Sequence, residues 1–429
     1  MKSCLVMLTK TYPFGSGEEF IENELPFLAE AFGKVILIAT SVSGRPEQTR
    51  AVPGNVEVRF IPSSQIKHSI PAAVALNFAF PPREFFGAAE RGAVGRSLPK
   101  RAFFAYFLAK SRRIARESAE LLKDTDAGGF DRVTFYSYWF FDTALASLEL
   151  KENSRARYRA CVSRAHGYDL YSSRNRLQYL PLRPYLLERL DEVFPCSQNG
   201  ADYLKRGYPQ WEDKVRTAYL GTRDFGLGPE PAPGEFRLVS CCHIVPLKRV
   251  DLLARSLKLL SGGGLKLSWT HFGGGEGLQE LTQYAKENLG FMEYSFPGEV
   301  RNADLMEFYR KNPADCFVNT STSEGLPVSI MEACSFGVPV IATNVGGTCE
   351  IVRDGENGLI LPADLTAETL AAKIREFCAM PADRREAMRR TARNIWQADF
   401  SAEDNFRRFA ESIARPQAAS VSRSANGEE

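Results

Sequence analysis

Two carboxylates with seven residues between them, Glu324 and Glu332, bracket the stretch Ser323-Glu324-Gly325-Leu326-Pro327-Val328-Ser329-Ile330-Met331-Glu332-Ala333. A polar run, Ser321-Thr322-Ser323, leads into a carboxylate, then a glycine and a proline, then a helical pattern. Pro327 suits a first helical turn, where the N–H it lacks would have no partner in the helix. The amides near Val328 and Ser329, with the positive end of the helix dipole, form a site for an anion such as a diphosphate. Glu324 falls in the loop and Glu332 about one turn inside the helix. Both can accept hydrogen bonds from neutral hydroxyls while the amides hold the charge. A sugar nucleotide offers that mixture of sugar hydroxyls, pyrophosphate and ribose hydroxyls. From spacing alone, a solvated loop glutamate and a surface helix glutamate fit as well.

A second group is His243-Ile244-Val245-Pro246-Leu247-Lys248-Arg249-Val250-Asp251, which puts two cations between a strand and a helix. Cations at a helix start oppose its dipole, a cost relieved if an anion neutralises them; a solvated pair is the plain alternative. Phe272-Gly273-Gly274-Gly275-Glu276-Gly277 approaches a dinucleotide fingerprint, but its third glycine position is Leu278, so a tight strand-to-helix turn explains it equally. In the first half, Ala165-His166-Gly167-Tyr168-Asp169 follows a strand-like run, and a lone histidine there is ordinarily structural. Thr11-Tyr12-Pro13-Phe14-Gly15-Ser16-Gly17-Glu18 fills the first strand-to-helix loop, where Gly15 and Gly17 let backbone amides approach phosphates or an acceptor. Cys241-Cys242-His243 is not a metal site, because strand neighbours alternate faces, and no metal motif is expected elsewhere.

The Glu324/Glu332 pair, followed by Phe336-Gly337-Val338-Pro339-Val340-Ile341-Ala342-Thr343, resembles the signature of the retaining glycosyltransferases of family 4, which have the two-domain GT-B fold. The resemblance runs on through Asn344-Val345-Gly346-Gly347, Glu350-Ile351-Val352 and Asp354-Gly355-Glu356-Asn357-Gly358-Leu359. It covers Phe236 to Pro362 closely and the first half in patches. It implies transfer of a sugar from a UDP- or GDP-sugar to a hydroxyl of a saccharide or lipid-linked acceptor, with retention of configuration, as in exopolysaccharide and colanic-acid-type assembly. Within it, Glu324 would hold the donor sugar and Glu332 the ribose. Gly325, Leu326, Pro327 and Val328 would form the phosphate-facing helix start, Gly274 the loop approaching the nucleotide, and Val300 the backbone meeting the base. His166 falls where the family carries an active-site histidine. Lys248 matches a family cation, while His243 stands where the family usually has arginine; Arg249 is the expected substitute. Catalysis would be metal-independent, with the leaving phosphate as the base.

Strands and helices alternate through glycine-rich turns on both sides of the proline-bearing stretch around 221–235, so the expected fold is α/β, two Rossmann-like doubly wound domains facing a cleft. The expected boundaries are 1–222 for an acceptor-side domain, 223–235 for a linker, 236–398 for a nucleotide-sugar domain, 399–415 for a helix packing back toward the first domain, and 416–429 for a disordered tail. Strands are expected at Cys4 to Leu8, Val35 to Thr40, Phe236 to Ile244, Leu265 to Phe272, Asp315 to Thr320 and Val338 to Thr343. A helix from Val250 shows Leu253, Leu257 and Leu260 on one face.

Composition limits the alternatives. The 429 residues are 44% hydrophobic and 25% charged with a net charge of +2, which excludes a disordered or collagenous chain and a general polyanion binder. No nucleic acid partner is expected. Nine cysteines without a Cys-x-x-Cys pair read as free thiols of a reducing compartment. With no signal peptide and no apolar span, the expected location is cytoplasmic, peripheral at the inner membrane face if one basic segment serves there. That segment, 91–116, has eight cations and no acid, interleaved with Phe103, Phe104, Tyr106, Phe107 and Leu108. It fits an interfacial membrane contact or a core-facing helix with a solvated basic side. A sugar-nucleotide epimerase of the same fold is the main competing function; a nicotinamide oxidoreductase would need a cleaner glycine fingerprint.

Overall fold

A computed structural model describes residues 2–15, 17–44, 47–125 and 129–415; the tail expected over 416–429 lies outside them. The chain forms two compact units, one of Met1–Phe194, Tyr208–Arg216 and Phe406 onward, the other of Pro195–Gly207 and Thr217–Asn405.

The first unit is built on β1 (Ser3–Thr9), β2 (Lys34–Val42), β3 (Val56–Pro62), β4 (Arg132–Ser137), β5 (Tyr158–Ala165) and β6 (Glu192–Pro195), ordered β3-β2-β1-β4-β5-β6. β1 pairs in parallel with β2 and β4. Its run Cys4-Leu5-Val6-Met7-Leu8 is buried throughout, as expected of a parallel strand covered by helices on both faces. The second unit repeats the plan with β7 (Phe236–Cys241), β8 (Leu267–Phe272), β9 (Glu293–Gly298), β10 (Cys316–Asn319), β11 (Val340–Thr343) and β12 (Gly358–Leu361), ordered β12-β11-β10-β7-β8-β9. Each sheet thus starts in its middle, winds outward, and reverses between its first and fourth strands. Loops at the carboxyl ends of those two strands leave in opposite directions and open a crevice, which is where such sheets bind ligands.

The helix Val250–Lys258 buries Val250, Leu253 and Leu257, with Leu260 beyond it, in a core shared with Leu238, Trp269 and Val318. The proline-bearing stretch is held against the second unit. Gly228 donates its N–H to Phe336 O at 3.0 Å, Arg389 reaches the Gly228 and Pro229 carbonyls, and Arg393 pairs with Asp224 at 2.6 Å. From Phe406 the C-terminal helix Ala402–Ala414 belongs to the first unit, where Phe409 packs on Tyr136 and Phe194. Arg164 and Glu24, both without exposure, form an ion pair at 2.9 Å beneath it.

The helix of the basic segment turns most of its aromatics inward. Its helix, Leu98–Lys123, buries Phe104, Phe107 and Leu108 and leaves only Tyr106 among its aromatics exposed. Lys110 pairs with Asp142, Arg113 with Glu117, and Arg112 with Glu84 and Glu149. The aromatic stripe therefore goes to the core, and much of the charge is neutralised within the protein. Among the described residues no helix is long and apolar enough to cross a membrane.

Candidate active site

In the second unit, the loops leaving β7 and β10 are laced together. Thr322 N donates to Leu247 O at 2.8 Å, and Thr320 Oγ1 donates to the Lys248 and Arg249 carbonyls. This brings Lys248 Nζ to 2.6 Å from Glu324 Oε1. Asn319 Nδ2 adds a contact to the same oxygen at 3.3 Å. Glu324 is 7% exposed, so its carboxylate needs these partners. A ligand anion here would share Lys248 with Glu324.

The loop carrying Glu324 is fixed from below by Gly346 and Gly347. Gly346 has φ +55°, and a Cβ there would sit 1.9 Å from Glu324 O. Gly347 donates its N–H to Gly325 O at 2.9 Å. Leu326 and Pro327 are buried and Gly325 and Val328 half-buried. Pro327 is the residue preceding the helix Val328–Ser335 rather than its first member, and no side chain caps that helix start. On the same helix, Glu332 Oε1 accepts from Asn302 Nδ2 at 2.6 Å. Burial pushes the Glu332 carboxyl up to about 7, against the opposing effect of Asn302.

Arg249 has φ +49°, and its guanidinium donates to Thr320 O at 2.7 Å, Ala363 O at 3.1 Å and Ser321 O at 3.3 Å. These three bonds clamp the β10 loop and use three of the guanidinium's five N–H donors. His243 is exposed just past β7.

In the loop after β8, Gly273 has φ +132°, and a Cβ there would lie 2.0 Å from Cys242 O; one on Gly275 would lie 2.7 Å from Ile244 O. These glycines let the loop press on the chain leaving β7. Gly274 has ordinary room, and its carbonyl accepts from Ile244 N at 2.7 Å. Val300 is half-buried just beyond β9.

In the first unit, His166 follows β5 and packs against Tyr138 and Trp139, its ring tilted to both with centroids 4.8 and 4.7 Å away. Its backbone N–H donates to Asp169 Oδ1 at 2.9 Å, and Phe140 N–H donates to Oδ2 at 2.9 Å. Burial opposes ionisation of Asp169, but the His166 imidazole and these two amides outweigh it and hold the carboxyl below its ordinary range. The imidazole Nδ1 stands 3.7 Å from Asp169 Oδ2, beyond hydrogen-bond distance. At 9% exposure neither ring nitrogen has a hydrogen-bond partner among the described residues, a condition buried polar groups rarely tolerate.

The first loop is organised by Glu18, whose carboxylate accepts the N–H groups of Lys10, Thr11 and Tyr12 and the Trp139 indole N–H at 2.6 Å. Gly15 and Gly17 have φ of +63° and +95°. Gly17 N–H is already bonded to Glu19 Oε1 at 2.8 Å. Lys10 lies over the Tyr168 and Trp139 rings at 4.2 and 5.1 Å, and burial lowers its pKa. Of the expected residues, Gly15, Gly17 and His166 lie in the first unit and Lys248, Arg249, Gly274, Val300, Glu324, Gly325, Leu326, Pro327, Val328 and Glu332 in the second. Glu18, Lys10, Trp139, Asp169, Asn302 and Asn319 join them without having been singled out; a His-x-x-Asp spacing was the legible signal for Asp169 alone. Among the described residues no cluster of three or more His, Cys, Asp and Glu could hold a metal ion.

The model of the glycosyl transferases group 1 family matches residues 229–395. A putative colanic acid biosynthesis glycosyltransferase, WcaL of Salmonella typhimurium, is 27% identical over 248 residues, 55% of this chain and 59% of that protein. The match therefore spans little more than half the length of that relative. Sucrose-phosphate synthase from Thermosynechococcus elongatus superposes with a TM-score of 0.69 at 15% identity, over 96% of this chain and 98% of that one. Anabaena HepE in complex with UDP and glucose superposes at 0.60 and 15% identity, over 96% and 99%. Residues 229–395 therefore match the glycosyl transferases group 1 family model, in a chain whose two parallel six-stranded sheets have the α/β fold of the GT-B glycosyltransferases.

Proposed function

We propose that this chain moves a sugar from a nucleotide diphosphate sugar to a hydroxyl of a saccharide or lipid-linked acceptor, retaining the anomeric configuration. The observation that carries the reading is the Lys248–Glu324 pair, 2.6 Å apart at the crevice of the second sheet and beside the uncapped helix start at Val328. Cleaving the sugar–phosphate bond leaves negative charge on the nucleotide diphosphate. Lys248 and the amides near Val328 stabilise that charge in place before it forms, so little reorganisation is needed. No metal ion takes part in this scheme. Glu324 accepts from the donor sugar's hydroxyls and Glu332 from the ribose. The His166 imidazole is assigned to the donor sugar, held by its packing against the Tyr138 and Trp139 rings and by the nearby Asp169. The leaving phosphate takes the acceptor's proton as the acceptor attacks from the same face, because no carboxylate is assigned as nucleophile.

The name of WcaL supports a polysaccharide acceptor, and the UDP and glucose bound to HepE support a uridine diphosphate donor. A thermal-shift screen of UDP-, GDP- and ADP-sugars tests the reading. One nucleotide series should raise the unfolding temperature of the wild type and lose that effect in Lys248→Ala. No shift with any of them would count against it.

A further inference from the structure

One surface of the first unit combines exposed apolar side chains with positive charge. Between β3 and β4 the chain passes through four helices, Ser63–Ser69, Pro71–Ala79, Ala88–Val94 and Leu98–Lys123. The second carries no ionisable residue. It contacts the long helix through Asn77, whose amide donates to Ala105 O at 3.5 Å, while Ala72, Ala75, Leu76, Ala79 and Phe80 are exposed. Leu76 and Phe80 are four apart and share a face, and Phe80 N–H closes the last turn on Leu76 O at 2.7 Å. Arg101 donates to the Phe78 and Ala79 carbonyls at 2.7 and 3.2 Å, which brings the start of the long helix, with Leu98, to that end. Phe80, Leu98 and Leu76 are 75%, 65% and 61% exposed, three of the four most exposed large apolar side chains among the described residues.

Charge around this face is one-sided. Residues 62–101 contain Lys67, Arg83, Arg91, Arg96, Lys100 and Arg101 against Glu84 and Glu90, a balance of +4 in a chain of net +2. Glu90 is buried against Tyr179 and the Leu182 amide, and Glu84 pairs with Arg112. The acids therefore do not screen the cations beside the apolar face. We propose that Leu76, Phe80 and Leu98, with Lys67, Arg83 and Arg96 near them in the chain, dock the protein on the surface of an anionic lipid bilayer. Apolar insertion and basic attraction are each marginal alone and together hold a protein reversibly. The core of a protein interface is depleted in charged residues, whereas an apolar face with an excess of cations close in sequence complements anionic lipid headgroups. The surface takes Arg96 and Leu98 from the segment 91–116 but not Phe104 and Phe107, which are buried, and the inference does not depend on the donor chemistry proposed above.

The test is co-sedimentation of the full chain with phosphatidylglycerol/phosphatidylcholine vesicles and with phosphatidylcholine alone, without any nucleotide. Wild type should bind the anionic vesicles at least about tenfold better and lose most of that binding at about 0.5 M salt. Leu76→Gln/Phe80→Gln, exposed positions whose folding is checked by circular dichroism and thermal unfolding, should lose binding to the anionic vesicles. Arg83→Glu/Arg96→Glu should lose the preference for them. Equal binding to both lipids, full binding by the folded Gln variant, or self-association in lipid-free buffer that the Gln variant abolishes would overturn the proposal, the last by assigning the face to a second copy of the chain.

Discussion

Titrating donor binding from about pH 6 to pH 8 isolates Glu332. Its carboxyl is buried in the helix Val328–Ser335, with Asn302 as hydrogen-bond donor, and is pushed from 4.5 to about 7. A ribose hydroxyl donates best to the ionised form. If that form alone binds, the competent fraction is roughly one tenth at about pH 6 and nine tenths at about pH 8, so affinity should rise about tenfold across the window. A nucleotide diphosphate sugar is the right ligand, because its doubly esterified pyrophosphate does not titrate there. The stability effect has the opposite sign. A folded-state pKa above the unfolded one stabilises fully below 4.5, and that contribution is lost as pH rises through about 7, on the order of 3 kcal/mol in total. Glu332→Gln keeps an acceptor for Asn302 and removes the titration. Isothermal titration calorimetry and chemical unfolding at several pH values should give a flat profile for the variant in both measurements. A Gln variant that keeps the wild-type pH dependence, or a wild type without one, would refute the reasoning.

Three further outcomes follow from the geometry. Lys248→Ala should weaken nucleotide diphosphate binding by about ten- to a hundredfold with little effect on nucleoside, whereas Arg249→Ala, which loses bonds to the Thr320, Ser321 and Ala363 carbonyls, should lower stability without that phosphate selectivity; calorimetry with both ligands and thermal unfolding separate them. Gly346→Ala would place a Cβ against Glu324 O at φ +55° and should displace the Glu324 loop at a cost of about 2 kcal/mol or more, read as lost donor affinity and a lower unfolding midpoint. His166→Ala should cut turnover by roughly tenfold or more while leaving affinity for the free nucleotide intact, measured by product formation beside nucleotide titration.

The architecture was largely legible because a parallel sheet needs continuous apolar strands and glycine-rich turns. Cys4 to Leu8 lies within β1, and Val250, Leu253 and Leu257 form a buried face. Strand ends were less so: the run expected to Ile244 stops at Cys241, because the loop after β8 presses Gly273 and Gly275 onto the Cys242 and Ile244 backbone. Residues adjacent in sequence, such as Glu324 through Val328, could be grouped directly. Partners brought together by folding could not. Neither Asn302, thirty residues before Glu332, nor Glu18, reaching the Trp139 indole, leaves a local pattern. The same holds for Arg249, whose position beside Lys248 gave its charge but not the carbonyls its guanidinium finds. The aromatics of 91–116 showed a helix period without showing which face the core would take.

The most direct test of the central claim is to incubate the protein with the stabilising nucleotide sugar and candidate saccharide or lipid-linked acceptors. Released nucleotide diphosphate and the anomeric configuration of the product, by proton NMR, are then followed together. Acceptor-dependent release with one new glycosidic bond of retained configuration is the predicted result. Donor consumption without an acceptor, yielding an altered free sugar, or a product of inverted configuration would contradict it.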